Sequence, residues 1–160
     1  MIINKTYFFG ELDIANTNNI HVEARLNSFI EKYEPKFLAL LFGETMYSQL
    51  TAQLLLTPIN ANWSSLRDKV KGLLAMYVWY YYSRDQASKT TAAGEVAPSV
   101  ENGVRVSVMD KQVKVWNEMV EGIAVLYDYL DLNEAIYVDW VSYGRYRSYP
   151  HFSPINAMNL

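Results

Sequence analysis

Ten consecutive residues, Leu73 to Tyr82, are all apolar or aromatic (Leu-Leu-Ala-Met-Tyr-Val-Trp-Tyr-Tyr-Tyr). A membrane-spanning helix needs about 20 such residues, so this run marks a buried helix segment rather than a bilayer span. The surrounding periodicity predicts a long helix from about 63 to about 86, with Ser64 or Ser65 as cap. Its main stripe is Leu66, Val70, Leu73, Leu74, Tyr77 and Tyr81. At about 100° per residue, Ala75, Trp79 and Tyr82 fall roughly opposite that stripe, and Asp68 and Lys71 precede them on the same face. The helix starts amphipathic and becomes apolar all round. Such a helix needs cover on both sides, from a central place in one core or from a second chain.

Residues 1–9 are β-prone (Ile2, Ile3, Tyr7, Phe8, Phe9), which predicts an edge strand or extended arm within an N-terminal segment over 1–18. Asn19 is placed to cap a helix whose stripe is Val22, Leu26, Phe29, Ile30 and Tyr33. Pro35 is expected to end that helix or start the next. Phe37, Leu40 and Leu41 predict a short helix closed by Gly43, and Met46, Tyr47, Leu50 and Leu54 predict another before a Thr57–Asn60 loop. Residues 87–103 have no helical period, and Val104-Arg105-Val106-Ser107-Val108 alternates like a short strand. Ser107 and Asp110 then read as a capping box ahead of a stripe of Val113, Trp116, Val120, Ile123, Ala124 and Tyr127. An irregular aromatic tail occupies 141–160. The expected fold is mostly α: a single-domain helical bundle over 1–160, with a long loop plus strand at 87–108 and one or two short extended segments.

The chain has 160 residues, 51% of them hydrophobic, which is one ordinary domain able to hold a core without staples. Cysteine is absent, which removes disulfides, thiolate zinc sites and cysteine nucleophiles together. A net charge of −3 gives no general attraction to nucleic acid or anionic membrane. The N-terminus lacks a basic stretch followed by an apolar core, so secretion is not expected. His21 and His151 stand far apart and outside any HExxH spacing, and no GxGxxG, P-loop, GxSxG or SxxK occurs. Asp128, Asp131, Glu134 and Asp139 cluster in sequence, and their order around a helix end reads as a solvated turn. These absences predict no catalysis, no metal and no cofactor.

The tail Tyr143-Gly144-Arg145-Tyr146-Arg147-Ser148-Tyr149 interleaves rings with guanidinium groups. Single-stranded nucleic acid is held by that combination, which makes a small nucleic-acid-binding regulator the alternative reading. Two arginines make a weak electrostatic footprint, and Tyr and Arg are equally enriched at protein interfaces. The interface reading is preferred, with no specific nucleic acid as partner. The expected oligomer interface comprises Trp79, Tyr82, Val104, Val106, Val108, Tyr143, Arg145, Tyr146 and Arg147, with residues 87–108 ordering against a neighbour.

Three stretches carry a family resemblance: Lys32-Tyr33-Glu34-Pro35-Lys36-Phe37-Leu38, then Leu41-Phe42-Gly43, then the aromatic run from Tyr77 to Asp85. With Val104–Ser107, Lys114–Val120 and Pro154–Leu160, they make the chain similar to tailed-phage and prophage head–tail connector (neck adaptor) proteins, especially of the Bacteroidetes-phage type. The sequence departs from that pattern after Gly43, where a tyrosine would be more typical than Glu44. The resemblance implies a small helical subunit of a homo-oligomeric ring, contacting the portal and tail-side neck proteins. It implies a virion location, with assembly in the host cytoplasm. It supplies no catalytic residues.

Overall fold

Asn19 opens the first helix by accepting the His21 backbone N–H on Oδ1 at 2.9 Å. That satisfies one of the donors a helix N-terminus leaves unpaired. The structure, a computed structural model, describes residues 1–87, 89–91, 94–96, 108–140 and 152–156. It is mostly helical, as the sequence predicts. From the Asn19 cap, α1 runs Ile20–Leu54, α2 runs Ala61–Ala87 and α3 runs Val108–Leu132. Between α2 and α3 lie two short strands, β1 (Lys89–Thr91) and β2 (Gly94–Val96), paired antiparallel. No helix among the described residues is long and apolar enough to cross a membrane.

The middle helix organises the rest. Phe29 meets Tyr82 at 5.3 Å between ring centroids and Phe37 meets Tyr77 at 4.8 Å, so α1 runs antiparallel to α2. Trp116 meets Tyr80 at 4.6 Å, while Lys69 Nζ sits 4.4 Å from the Tyr129 ring, so α3 also runs antiparallel to α2. The order is up, down, up, and the predicted stripe of Leu66, Val70, Leu73, Leu74 and Tyr77 is buried. Asp68 and Lys71, on the polar start of α2, pair with each other at 2.7 Å.

Several local expectations are corrected. Pro35 neither ends nor starts a helix; α1 passes through it. An interior proline costs about 3 kcal/mol or more through its missing N–H and ring clash. Tertiary packing on either side offsets this: Ile30, Phe37 and Leu38 are buried, and Tyr33 stacks on Tyr81 at 4.4 Å and 9°. The break falls at Gly43 instead, at φ 73 and ψ 163, a region essentially restricted to glycine. The cap of α2 is Asn60, not Ser64 or Ser65. Its Oδ1 accepts the Asn62 N–H at 2.9 Å, while Ser64 Oγ accepts from Arg67.

Residues 1–12 form two 3-10 turns, Lys5–Tyr7 and Gly10–Leu12, rather than a strand. Both strands among the described residues pair with each other, and a lone edge strand would leave its backbone groups unpaired. Asn4 Oδ1 instead accepts the Thr6 N–H at 2.9 Å, and Ile2 N–H donates to Glu34 Oε2 at 2.8 Å. These bonds lay the segment on the helices, with Ile3, Phe8 and Ile14 buried. The paired strands lie at 89–96, within the stretch read as structureless connection. Of the expected strand, Val104 to Ser107 lie outside the described residues, and Val108 is the first residue of α3. The capping box at Ser107 likewise lies outside them.

Three glycines give an ordered prediction. A side chain at Gly43 is strained by backbone alone, so Gly43→Ala should cost about 1–3 kcal/mol. A Cβ on Gly72 meets nothing within 4 Å, so Gly72→Ala should stabilise by up to about 1 kcal/mol. A Cβ on Gly122 would stand 2.5 Å from Leu73 Cδ2, the close approach of α3 to α2. Overpacking there, partly offset by better helix propensity, should leave Gly122→Ala about 1 kcal/mol less stable. Urea unfolding followed by the helical circular dichroism signal ranks all three.

Candidate interaction surface

The second apolar face of α2 is covered within the chain. Trp79 is 4% exposed and Lys111 of α3 places Nζ 4.8 Å from its ring. Tyr82 is 7% exposed, edge-on to Phe29 of α1. Between them run an Arg25–Asp85 ion pair and a 3.0 Å bond from Gln112 Nε2 to Ser83 Oγ. A helix flanked by two others has no bare face at these positions, so Trp79 and Tyr82 are core residues rather than an exposed oligomer contact. Val108 lies in the first turn of α3. Val104, Val106, Tyr143, Arg145, Tyr146 and Arg147 lie outside the described residues.

The acidic cluster is also put to structural use. Asp131 Oδ1 accepts the Trp140 indole N–H at 2.8 Å, and Glu134 is exposed. Asp139 Oδ2 is buried with no hydrogen-bond partner. Among the described residues no group of three or more His, Asp or Glu side chains is placed to hold a metal ion. His21 is exposed just after its cap, and His151 lies outside the described residues.

What the chain leaves open is apolar. After α3, residues 133–140 fold back across the start of α2, pinned by Tyr137. Its hydroxyl donates to the Asn62 carbonyl at 3.0 Å and its ring stands edge-on to Trp63 at 5.4 Å. With Tyr137 turned inward, its neighbours Ile136 and Val138 point outward, the latter 75% exposed. Leu132 is 86% exposed, and Val125, seven residues earlier on the same face of α3, is exposed too. Leu55 and Leu56, in the α1–α2 connection at this same end, are exposed as well. Single exposed apolar residues need no explanation, but a set gathered at one end marks a contact surface. The sequence held one hint of it: Leu54-Leu55-Leu56 breaks the helical spacing, since one helix face cannot bury three in a row.

No protein-family model, curated protein or solved structure matches the chain. The residues that carry the connector resemblance meet one another in space. Tyr33, Phe37 and Leu38 of α1 lie in or against the core beside the aromatic run of α2, and Trp116 from the Lys114–Val120 stretch packs on Tyr77 and Tyr80. They are fold-forming residues.

Burial holds the phenols of Tyr77 and Tyr82 above the ordinary tyrosine range, and burial with a Tyr129 hydrogen bond does the same for Tyr137. The folded state thus keeps protons that the unfolded chain releases near pH 10. Their contribution is complete below that value and is lost as pH rises above it. Chemical denaturation at stepped pH should give a stability flat through neutrality and falling beyond about pH 10. Tyr137→Phe should flatten the fall and cost about 1 kcal/mol at neutral pH.

Proposed function

We propose that the chain is a non-catalytic structural subunit of a phage head–tail connector, forming a ring between the portal vertex and the tail-side neck proteins of the virion. The observation that carries this reading is the exposed apolar set at one end of the bundle, Leu55, Leu56, Leu132, Ile136 and Val138. A body whose middle helix is covered by its own neighbours is suited to rigid stacking. Apolar side chains left at one end then have a use only when another subunit covers them. The resemblance of the Lys32–Leu38, Tyr77–Asp85 and Lys114–Val120 stretches supplies the identity of the assembly. A net charge of −3 suits a ring through which DNA passes without being gripped.

The test is assembly. Purified chain, alone and co-expressed with the portal protein of the same genome, should sediment as a ring or as a portal-bound complex. Leu55→Glu with Leu132→Glu should keep the helical signal and change stability by no more than about 0.5 kcal/mol, because both positions are exposed. The same variant should lose assembly. A wild-type chain that stays monomeric beside its portal, or a variant that assembles normally, overturns the reading. Tight, salt-sensitive binding of short DNA or RNA, lost on Arg145→Ala with Arg147→Ala, would put the regulator in its place.

A further inference from the structure

Residues 152–156 are bound to the helices as a peptide is bound to a receptor. Phe152 is buried, edge-on to Phe37 of α1 at 5.6 Å and to Tyr77 of α2 at 6.2 Å. Trp116 of α3 donates its indole N–H to the Ser153 carbonyl at 2.9 Å. The next residue, Asn117, grips the backbone of Ile155 from both sides: Nδ2 donates to the Ile155 carbonyl at 3.0 Å, and Oδ1 accepts the Ile155 N–H at 2.9 Å. Ile155 rests half-buried on the core. Pro154 between them has no N–H to leave unpaired, and it holds Ser153 extended. One deep aromatic pocket, one shallow apolar rest and main-chain bonds between them form the division of labour of extended-peptide recognition, where pockets select and backbone bonds hold.

We infer that this groove of Phe37, Tyr77, Trp116 and Asn117 is a docking site for an extended Phe-x-x-Ile segment, and that its occupant in an assembly is the C-terminal segment of a second copy of this chain. The groove bonds only to backbone atoms and to two side chains that any copy supplies identically, so it does not distinguish its own segment from a neighbour's. The connection permits the exchange. Residues 141–151 join Trp140 to Phe152, and a chain of that length spans at most roughly 40 Å. That matches the length of α2, about 40 Å for its 27 residues. Release exposes little besides Phe152 and Ile155, since Ser153, Pro154 and Asn156 are already exposed. Exchange of an identical element between copies is a low-cost route to association. Because the groove lies on helical residues away from Leu55 and Leu132, the inference stands whether or not the chain forms connector rings.

The test uses full-length chains and one labelled peptide, His-Phe-Ser-Pro-Ile-Asn, matching residues 151–156. Phe152→Asp should free the groove, and fluorescence anisotropy should show this variant binding the peptide at least tenfold more tightly than wild type, whose groove is filled. Adding Asn117→Ala, or replacing the peptide's Phe by Ala, should remove at least tenfold of that affinity. If Phe152→Asp loses its helical signal, Ile155→Pro, which breaks only the Asn117 clamp and the shallow rest, carries the same measurement. For the second copy, full-length Phe152→Asp (open groove) is mixed with full-length Asn117→Ala (damaged groove, intact segment). A one-to-one heterodimer absent from either variant alone is expected in sedimentation. Equal peptide binding by wild type and Phe152→Asp, or no binding by a folded open variant, overturns the docking site. Peptide binding without heterodimer overturns the second copy as occupant.

Discussion

Tyr77 stands at the crossing of every part of the core. Its ring lies 4.8 Å from Phe37 and 6.1 Å from Tyr33 on α1, 6.2 Å from Trp116 on α3, and 6.2 Å from Phe152 in the C-terminal segment. Tyr81, one turn along α2, closes the set at 5.0 Å and stacks on Tyr33. Each such pair adds about 0.5–1.5 kcal/mol beyond the burial of its area. The seam favours one register of the helices as well as holding them, because tilted and edge-on rings tolerate little sliding. Tyr33 can meet Tyr81 face to face only while Phe37 meets Tyr77 and Phe29 meets Tyr82.

That seam explains what was legible beforehand. The buried stripe of α2, the cap at Asn19, the stripe of α3 and the mostly helical architecture followed from spacing alone, because each reflects one helix against an average apolar surface. Pro35 was not legible, because what carries the helix through it is Tyr33, Phe37 and Leu38 held by another element. The β-prone start failed for a related reason. Ile3, Phe8 and Ile14 are buried as anticipated for an apolar segment, but they found helices and not a sheet edge, so the backbone satisfied itself in 3-10 turns.

The interaction surface was legible only in part. Trp79 and Tyr82 stood out because they made α2 apolar all round, and spacing alone left open whether the cover came from within or from outside. Lys111 and Phe29 supply it from within. The exposed set at the other end has no periodicity to announce it: Leu55 and Leu56 sit in a connection and Ile136 and Val138 flank an inward tyrosine. Asn117 is a polar residue on a helix, and its partner is the backbone of Ile155, which side-chain patterns do not encode.

The torsions of Gly43 turn the last part of α1 into a lever. Residues 44–54 continue as helix beyond it, a rod of about 16 Å at 1.5 Å per residue, and its far end carries Leu55 and Leu56. A change of about 10° at that single pivot would swing the tip by about 3 Å, close to the width of a methyl group, while Tyr77 and its partners stay where they are. The aim of an outward apolar contact is therefore set by one residue without a side chain, independently of the core that keeps the chain folded.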